Sequence, residues 1–176
     1  MTDQELFEHY HKDVYRTCYY MLRNQHDAED VCQEVFVKII LQQDYNQITN
    51  LKPWILSITM NACRNYIRKR SRLFLGSEFF SWIVNKIDPQ RVEEELEERE
   101  QREHIACYIH KLSPKIREVI LLKYLHELKN EEISNLLSIP LGTVKSRANK
   151  GILQLRAMMK TFSSEANTPY VTEVPK

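Results

Sequence analysis

The chain has 176 residues, 43% of them hydrophobic and 28% charged, with a formal net charge of +1, which suits one globular domain or two small ones. Its four cysteines form no C-x-x-C pair, and its six histidines lack ligand spacing with them, so no zinc finger or thioredoxin-like site is expected. No apolar run approaches the ~18 residues of a membrane helix. The start, MTDQELFEHYHKD, is polar and acidic rather than a secretory signal, so a cytoplasmic location is expected.

Only three glycines, and long runs of good helix formers, predict an all-α fold. Apolar residues from Leu6 to Leu22 recur close to a helical period. NQHDAED, 24–30, is a polar break and restart in which Asp27 is a candidate cap, with Glu29 and Asp30 in the first turn. A second helix is expected from about Ala28 to Leu41, with Val31, Val35 and Ile39 inward. After the loop QQDYNQITN, Pro53 suits the first turn of a third helix. Trp54, Ile55, Ile58 and Ala62 give that helix its apolar face, and it ends in the basic run RNYIRKRSR.

Charge divides the chain. Lys52 to Arg72 holds six Lys/Arg and no acid, Leu73 to Glu100 eight acids against three bases, and Gln101 to Lys160 eleven bases against five acids. This order predicts two small helical domains, 1–72 and 101–160, around a linker, 73–100, with a disordered tail at 161–176. Phe74, Phe79, Phe80, Trp82 and Ile83 make the linker unusually apolar, and its acidic half repels polyanions.

In the second module, Ile105, Tyr108, Ile109 and Leu112 mark one helix. Ser113 and Pro114 then start a strongly apolar one, and Asn130 is a candidate cap for the next. SIPLGTVKSRANKG, 138–151, follows. Pro140 ends the preceding helix, and Gly142 permits a close approach or an unusual backbone angle. Val144, Ala148, Ile152 and Leu155 then recur at a helical period. The opposite face carries Lys145, Ser146, Asn149 and Lys150, with Arg147 at its flank and Thr143 in the first turn. Two helices joined by a short turn, the second cationic outside, match a helix-turn-helix. The same pattern fits a stand-alone DNA-binding regulator or a plain solvated helix. Gly151 either allows a close approach or marks a bend. Enzyme motifs such as a phosphate-cradling glycine loop or G-x-S-x-G do not occur, so neither catalysis nor a metal, cofactor or small-molecule substrate is expected.

LSPKIREVILLKYLHELKNEEISNLLSIPLGTVKSRANKGILQLR, 112–156, resembles region 4 of a bacterial sigma-70-type factor of the extracytoplasmic-function (ECF) group. DAEDVCQEVFVKI, 27–39, and LKPWILSITMNACRNYIRKR, 51–70, resemble two segments of region 2, and the three motifs stand in family order. The resemblance implies a sigma factor that binds core RNA polymerase and promoter DNA. Region 4 would read the −35 element as duplex, and region 2 would melt and capture the −10 strand. It also implies control by an anti-sigma factor, often membrane-bound. Carried over by position, Asp30, Gln33, Glu34 and Phe36 match the polymerase-docking motif. Tyr45, Asn46, Asn50, Asn61, Arg64, Asn65, Arg68 and Lys69 are the −10 candidates. Thr143, Lys145, Ser146, Arg147, Asn149 and Lys150 are the −35 candidates. The chain departs from the family where Asn65 replaces a common acid and Arg64 occupies a usually apolar position.

Overall fold

The computed structural model describes residues 1–42, 45–73 and 96–165. Every regular element among them is helical. The aromatic cluster of the linker, the acidic stretch 88–95 and the tail beyond 165 lie outside these residues.

Helix α1, Asp3–Leu22, opens on a reciprocal cap, with Thr2 Oγ1 accepting from Glu5 N–H and Glu5 accepting from Thr2 N–H. It closes at Arg23, whose φ of 53° is left-handed. Helix α2, Gln25–Leu41, is capped by Asn24, which accepts from Asp27 N–H at 3.0 Å. Asp27 is not the cap: it lies in the first turn of the helix, where its carboxylate accepts from Arg70 of the third helix. A 3₁₀ turn, Tyr45–Gln47, leads to α3, Leu51–Leu73. These three helices pack mutually around Leu6, Val14, Met21, Val31, Val35, Ile39, Ile55, Leu56 and Met60, all at most 1% exposed. The Cys18 and Cys63 thiols meet in this core at 3.8 Å. Contact with Cys63, together with burial, pushes the Cys18 thiol up, and burial raises Cys32 to about 12. These thiols stay protonated and serve as packing.

The second module begins with α4, Leu96–Lys111, and continues with α5, Pro114–Ile120. Ser113 precedes Pro114 as expected but makes no side-chain capping bond. The expected single apolar helix is broken here. Leu121–Leu125 forms a wider, π-type turn, with His126 N–H donating to Leu121 C=O at 3.2 Å. The extra residue leaves Tyr124 exposed and turns His126 into the core. Helix α6, Asn130–Leu137, has Lys129 rather than Asn130 at its cap position. Glu132 accepts from Lys129 N–H at 2.7 Å, and Asn130 Oδ1 accepts from Lys123. Ser138, in the left-handed region, and Pro140 turn the chain into α7, Leu141–Glu165. The helix therefore runs past residue 160, where a disordered tail was expected to begin.

The modules are packed together. Helix α1 touches α4 and α5, α3 touches α6, and buried side chains of both modules form one continuous cluster. Arg117 is buried at the junction. It donates to Met21 C=O of α1 at 2.6 Å, to Ile109 C=O at 3.2 Å, to Leu112 C=O at 3.0 Å and to His110 C=O. Each acceptor lies at or just beyond a helix C-terminus, where carbonyls lack intrahelical donors and the dipole favours a cation. Burial draws the guanidinium down to about 10, which still leaves it charged.

His126 Nε2 lies 2.7 Å from Thr17 Oγ1, whose own proton goes to Asp13 C=O. The hydroxyl therefore accepts from Nε2–H, and the buried Nδ1 has no partner. A second proton would place an unsatisfied cation in the core, and burial holds both His126 and His110 near 4. Both charge freely once unfolded, so the unfolded state binds more protons below pH ~6.5. Stability is accordingly full above pH ~6.5 and falls as the pH drops towards 4. The melting temperature should decline from pH 6.5 to 5, and a His110→Gln/His126→Gln protein should be flat over that interval. An equal slope in both proteins would remove these histidines from the effect.

Candidate nucleic-acid interface

On α7, Val144 and Ala148 are buried and Ile152 and Leu155 partly so, which fixes the opposite face outward. Lys145 and Asn149 form one exposed row, and Ser146 and Lys150 form another, one residue around the helix. Thr143 and Arg147 are half-buried at the margins. From Pro140 to Lys160 there is no acidic residue. The surface therefore offers ammonium, amide and hydroxyl donors on one helix face, the chemistry that phosphates and major-groove base edges accept. Leu153 and Gln154 extend it, both exposed one turn on. Apolar Leu153 breaks the polar pattern that marks the face in the sequence.

Of the two glycines, Gly151 takes one of its two expected roles and Gly142 takes neither of its own. Gly142 is exposed, has no positive φ, and a Cβ there would meet nothing within 4 Å. Gly151 is the close approach. A Cβ there would stand 2.6 Å from Ile120 Cδ1 and Cγ1 and 2.9 Å from Ile116 Cγ2. Gly151 thus lets α7 lie directly on α5, and this contact aims the cationic face.

On α3, Asn61, Asn65, Arg68 and Lys69 are exposed along one stripe. Asn46 and Asn50 are exposed in the preceding loop. Two other candidates are not open. Tyr45 is buried and its hydroxyl donates to Asp3, because the 3₁₀ turn folds it onto α1. Arg64 is held by Glu118 of α5, with Nε at 2.6 Å from Oε1 and Nη2 at 2.8 Å from Oε2. Its Nη1 also donates to Asn61 Oδ1 at 3.1 Å. Arg70 is tied to Asp27 and to the Tyr66 hydroxyl, fastening α3 to α2. Trp54 is half-buried against the core.

On α2, Asp30, Gln33 and Glu34 are exposed together, and Glu34 is paired with Lys38. Phe36 does not join them. Its ring is 4% exposed and packs edge-on to Phe7 at 4.8 Å. In its place the face continues into exposed Val37, Ile40 and Leu41, the last 75% exposed. An acidic patch running into an apolar one suits a protein partner with a basic and apolar surface. No helix among the described residues is long and apolar enough to cross a membrane, and no group of three His, Cys, Asp or Glu side chains among them could hold a metal.

Residues 6–73 match the family model for sigma-70 region 2, and residues 102–155 match that for sigma-70 region 4. The chain is 34% identical over 172 residues to the ECF RNA polymerase sigma factor SigW of Bacillus subtilis (strain 168), covering 90% of this chain and 91% of that protein. Its fold is similar to the sigma factor RpoE solved with the anti-sigma factor NepR from Bartonella quintana. The TM-score is 0.73 at 21% identity, over 89% of this chain and 96% of the other. CnrH, solved with the cytosolic domain of CnrY, is similar at a TM-score of 0.65 and 18% identity, over 90% and 88% of the two chains.

Proposed function

The chain belongs to the sigma-70 family of RNA polymerase sigma factors, in its ECF group, and from that premise we propose a division of labour over its surface. The observation that carries the proposal is the single exposed face of Lys145, Ser146, Asn149 and Lys150, set by buried Val144 and Ala148. That face, with Thr143 and Arg147, reads −35 duplex in the major groove. The α3 stripe of Asn61, Asn65, Arg68 and Lys69, with Asn46 and Asn50, captures the melted −10 strand, its amides meeting unstacked bases and its cations the backbone. The α2 patch of Asp30, Gln33 and Glu34, extended by Val37 and Leu41, docks on core polymerase. Tyr45 and Arg64 reach the strand only after their present partners let go. The protein performs no chemistry of its own. It acts in the cytoplasm, and a cognate anti-sigma factor holds it inactive, a reading supported by the similar RpoE, which was solved in complex with the anti-sigma factor NepR.

Run-off transcription with purified protein and bacterial core polymerase on a pool of promoter fragments tests this reading. Transcripts from particular fragments support it. No transcript, with tight binding of the chain alone to duplex, points instead to a stand-alone helix-turn-helix regulator. On a promoter so found, Asn149→Ala or Lys150→Ala should cost ~1–3 kcal/mol of discrimination at one −35 base pair. A loss spread evenly over all sequences would reduce the residue to a phosphate contact.

A further inference from the structure

Arg64 lies between two incompatible tasks. It sits on the flank of the α3 stripe that is to meet the −10 strand, yet one edge of its guanidinium, Nε and Nη2, is engaged by both oxygens of the Glu118 carboxylate in the other module. The Arg64 side chain is 29% exposed and that of Glu118 only 6%. A bidentate pair in such a place has fixed geometry and weak screening. Its surroundings are also joined across the modules, by His126 on Thr17 and Arg117 on Met21 C=O.

Size sets the second constraint. Elements centred 25 base pairs apart are separated by about 85 Å of B-form duplex, at 3.4 Å per step. A compact chain of this length has a radius of gyration of about 16 Å. With α3 packed on α6, the two reading surfaces cannot reach both elements at once. The packed arrangement is therefore not the one that reads a promoter.

We infer that the Arg64–Glu118 pair is a latch that holds the two modules closed and keeps Arg64 off DNA. The inference rests on the promoter-reading roles proposed above and adds their regulation. Glu118 is too buried to be left as an unpaired carboxylate. When a DNA phosphate takes Arg64, the junction must part so that water can reach Glu118. Release of the cation to the strand and separation of the modules are thus one event. The closed fraction lowers the apparent affinity for a promoter by the same factor that it lowers the open population.

Small-angle scattering of the full chain, free in solution, reads the latch directly. Glu118→Arg and Arg64→Met should each raise the radius of gyration above that of the parent, with helix content unchanged by circular dichroism. The charge-reversed pair Arg64→Glu/Glu118→Arg should return it to the compact value. Glu118→Gln should raise transcription at limiting protein by roughly threefold or more with core polymerase, since it enlarges the open fraction without touching a DNA-facing group. Identical scattering from the parent, Glu118→Arg and Arg64→Met overturns the latch. So does expansion that the reversed pair leaves unrepaired, because the loss then belongs to packing and not to the ion pair. Repairable expansion in a chain that never directs transcription upholds the latch and overturns the sigma-factor roles instead.

Discussion

Arg117→Met should lower the unfolding free energy by about 3–5 kcal/mol, the cost of deleting one partner from a buried charged network. Methionine keeps the apolar stem of the side chain, is shorter than arginine, and donates nothing. Four carbonyls, at Met21, Ile109, His110 and Leu112, then face an apolar junction without their donor. Each buried acceptor so stranded costs about 1–3 kcal/mol unless water reaches it. For a chain of this size the loss corresponds to a melting temperature lower by roughly 10 °C. Arg117→Lys should recover little, since a compact ammonium cannot spread over acceptors on several sides as a planar fork does. Urea unfolding of the three proteins makes the comparison. A loss below ~1 kcal/mol for methionine would mean that the carbonyls are readily hydrated.

The second large effect is expected at Gly151. An alanine there gains about 1 kcal/mol of helix propensity, but its Cβ would stand 2.6 Å from two Ile120 atoms. Overpacking of this kind costs about 1–3 kcal/mol, so Gly151→Ala should be destabilising by a net ~1 kcal/mol. Gly151→Leu has no volume to enter and should cost ~3 kcal/mol or more while displacing α7 from α5. Because that contact aims the cationic face, −35 binding should weaken with it. Ile120→Ala removes both close atoms. Combined with Gly151→Ala it should cost clearly less than the sum of the two single changes. Strict additivity, or a stabilised Gly151→Ala, would show that α5 and α7 are free to move apart.

The amphipathic helices were readable because their spacing is local. The α7 face was legible for the same reason, since Val144 and Ala148 at four-residue spacing fix which side of the helix is wet. What escaped is decided by residues far away in the chain. The role of Asp27 is set by its contact with Arg70, 43 residues on. Which glycine is the close approach depends on Ile116 and Ile120, which no pattern around residues 142–151 reveals. Phe36 and Tyr45 turned inward because Phe7 and Asp3 of α1 receive them. Arg64 was flagged by its place at a usually apolar family position, but its partner Glu118 lies 54 residues away. Arg117 and Glu118 sit inside a run of apolar residues, IREVI, and two charges in such a run signal a buried polar junction without saying with what.

The wide turn at Leu121–Leu125 behaves as a gear with one extra tooth. A single residue on an α-helix advances the side-chain direction by about 100°. Accommodating one more residue than an α turn sets the angular phase of everything after it. Deleting one residue here would restore a regular ladder and at the same time swing His126 off Thr17 and carry Tyr124 towards the interior. Insertions and deletions are therefore not neutral in this short connection, although it looks like an ordinary stretch of helix. The direction in which the chain leaves α5 for α6 and α7 is set by one peptide unit.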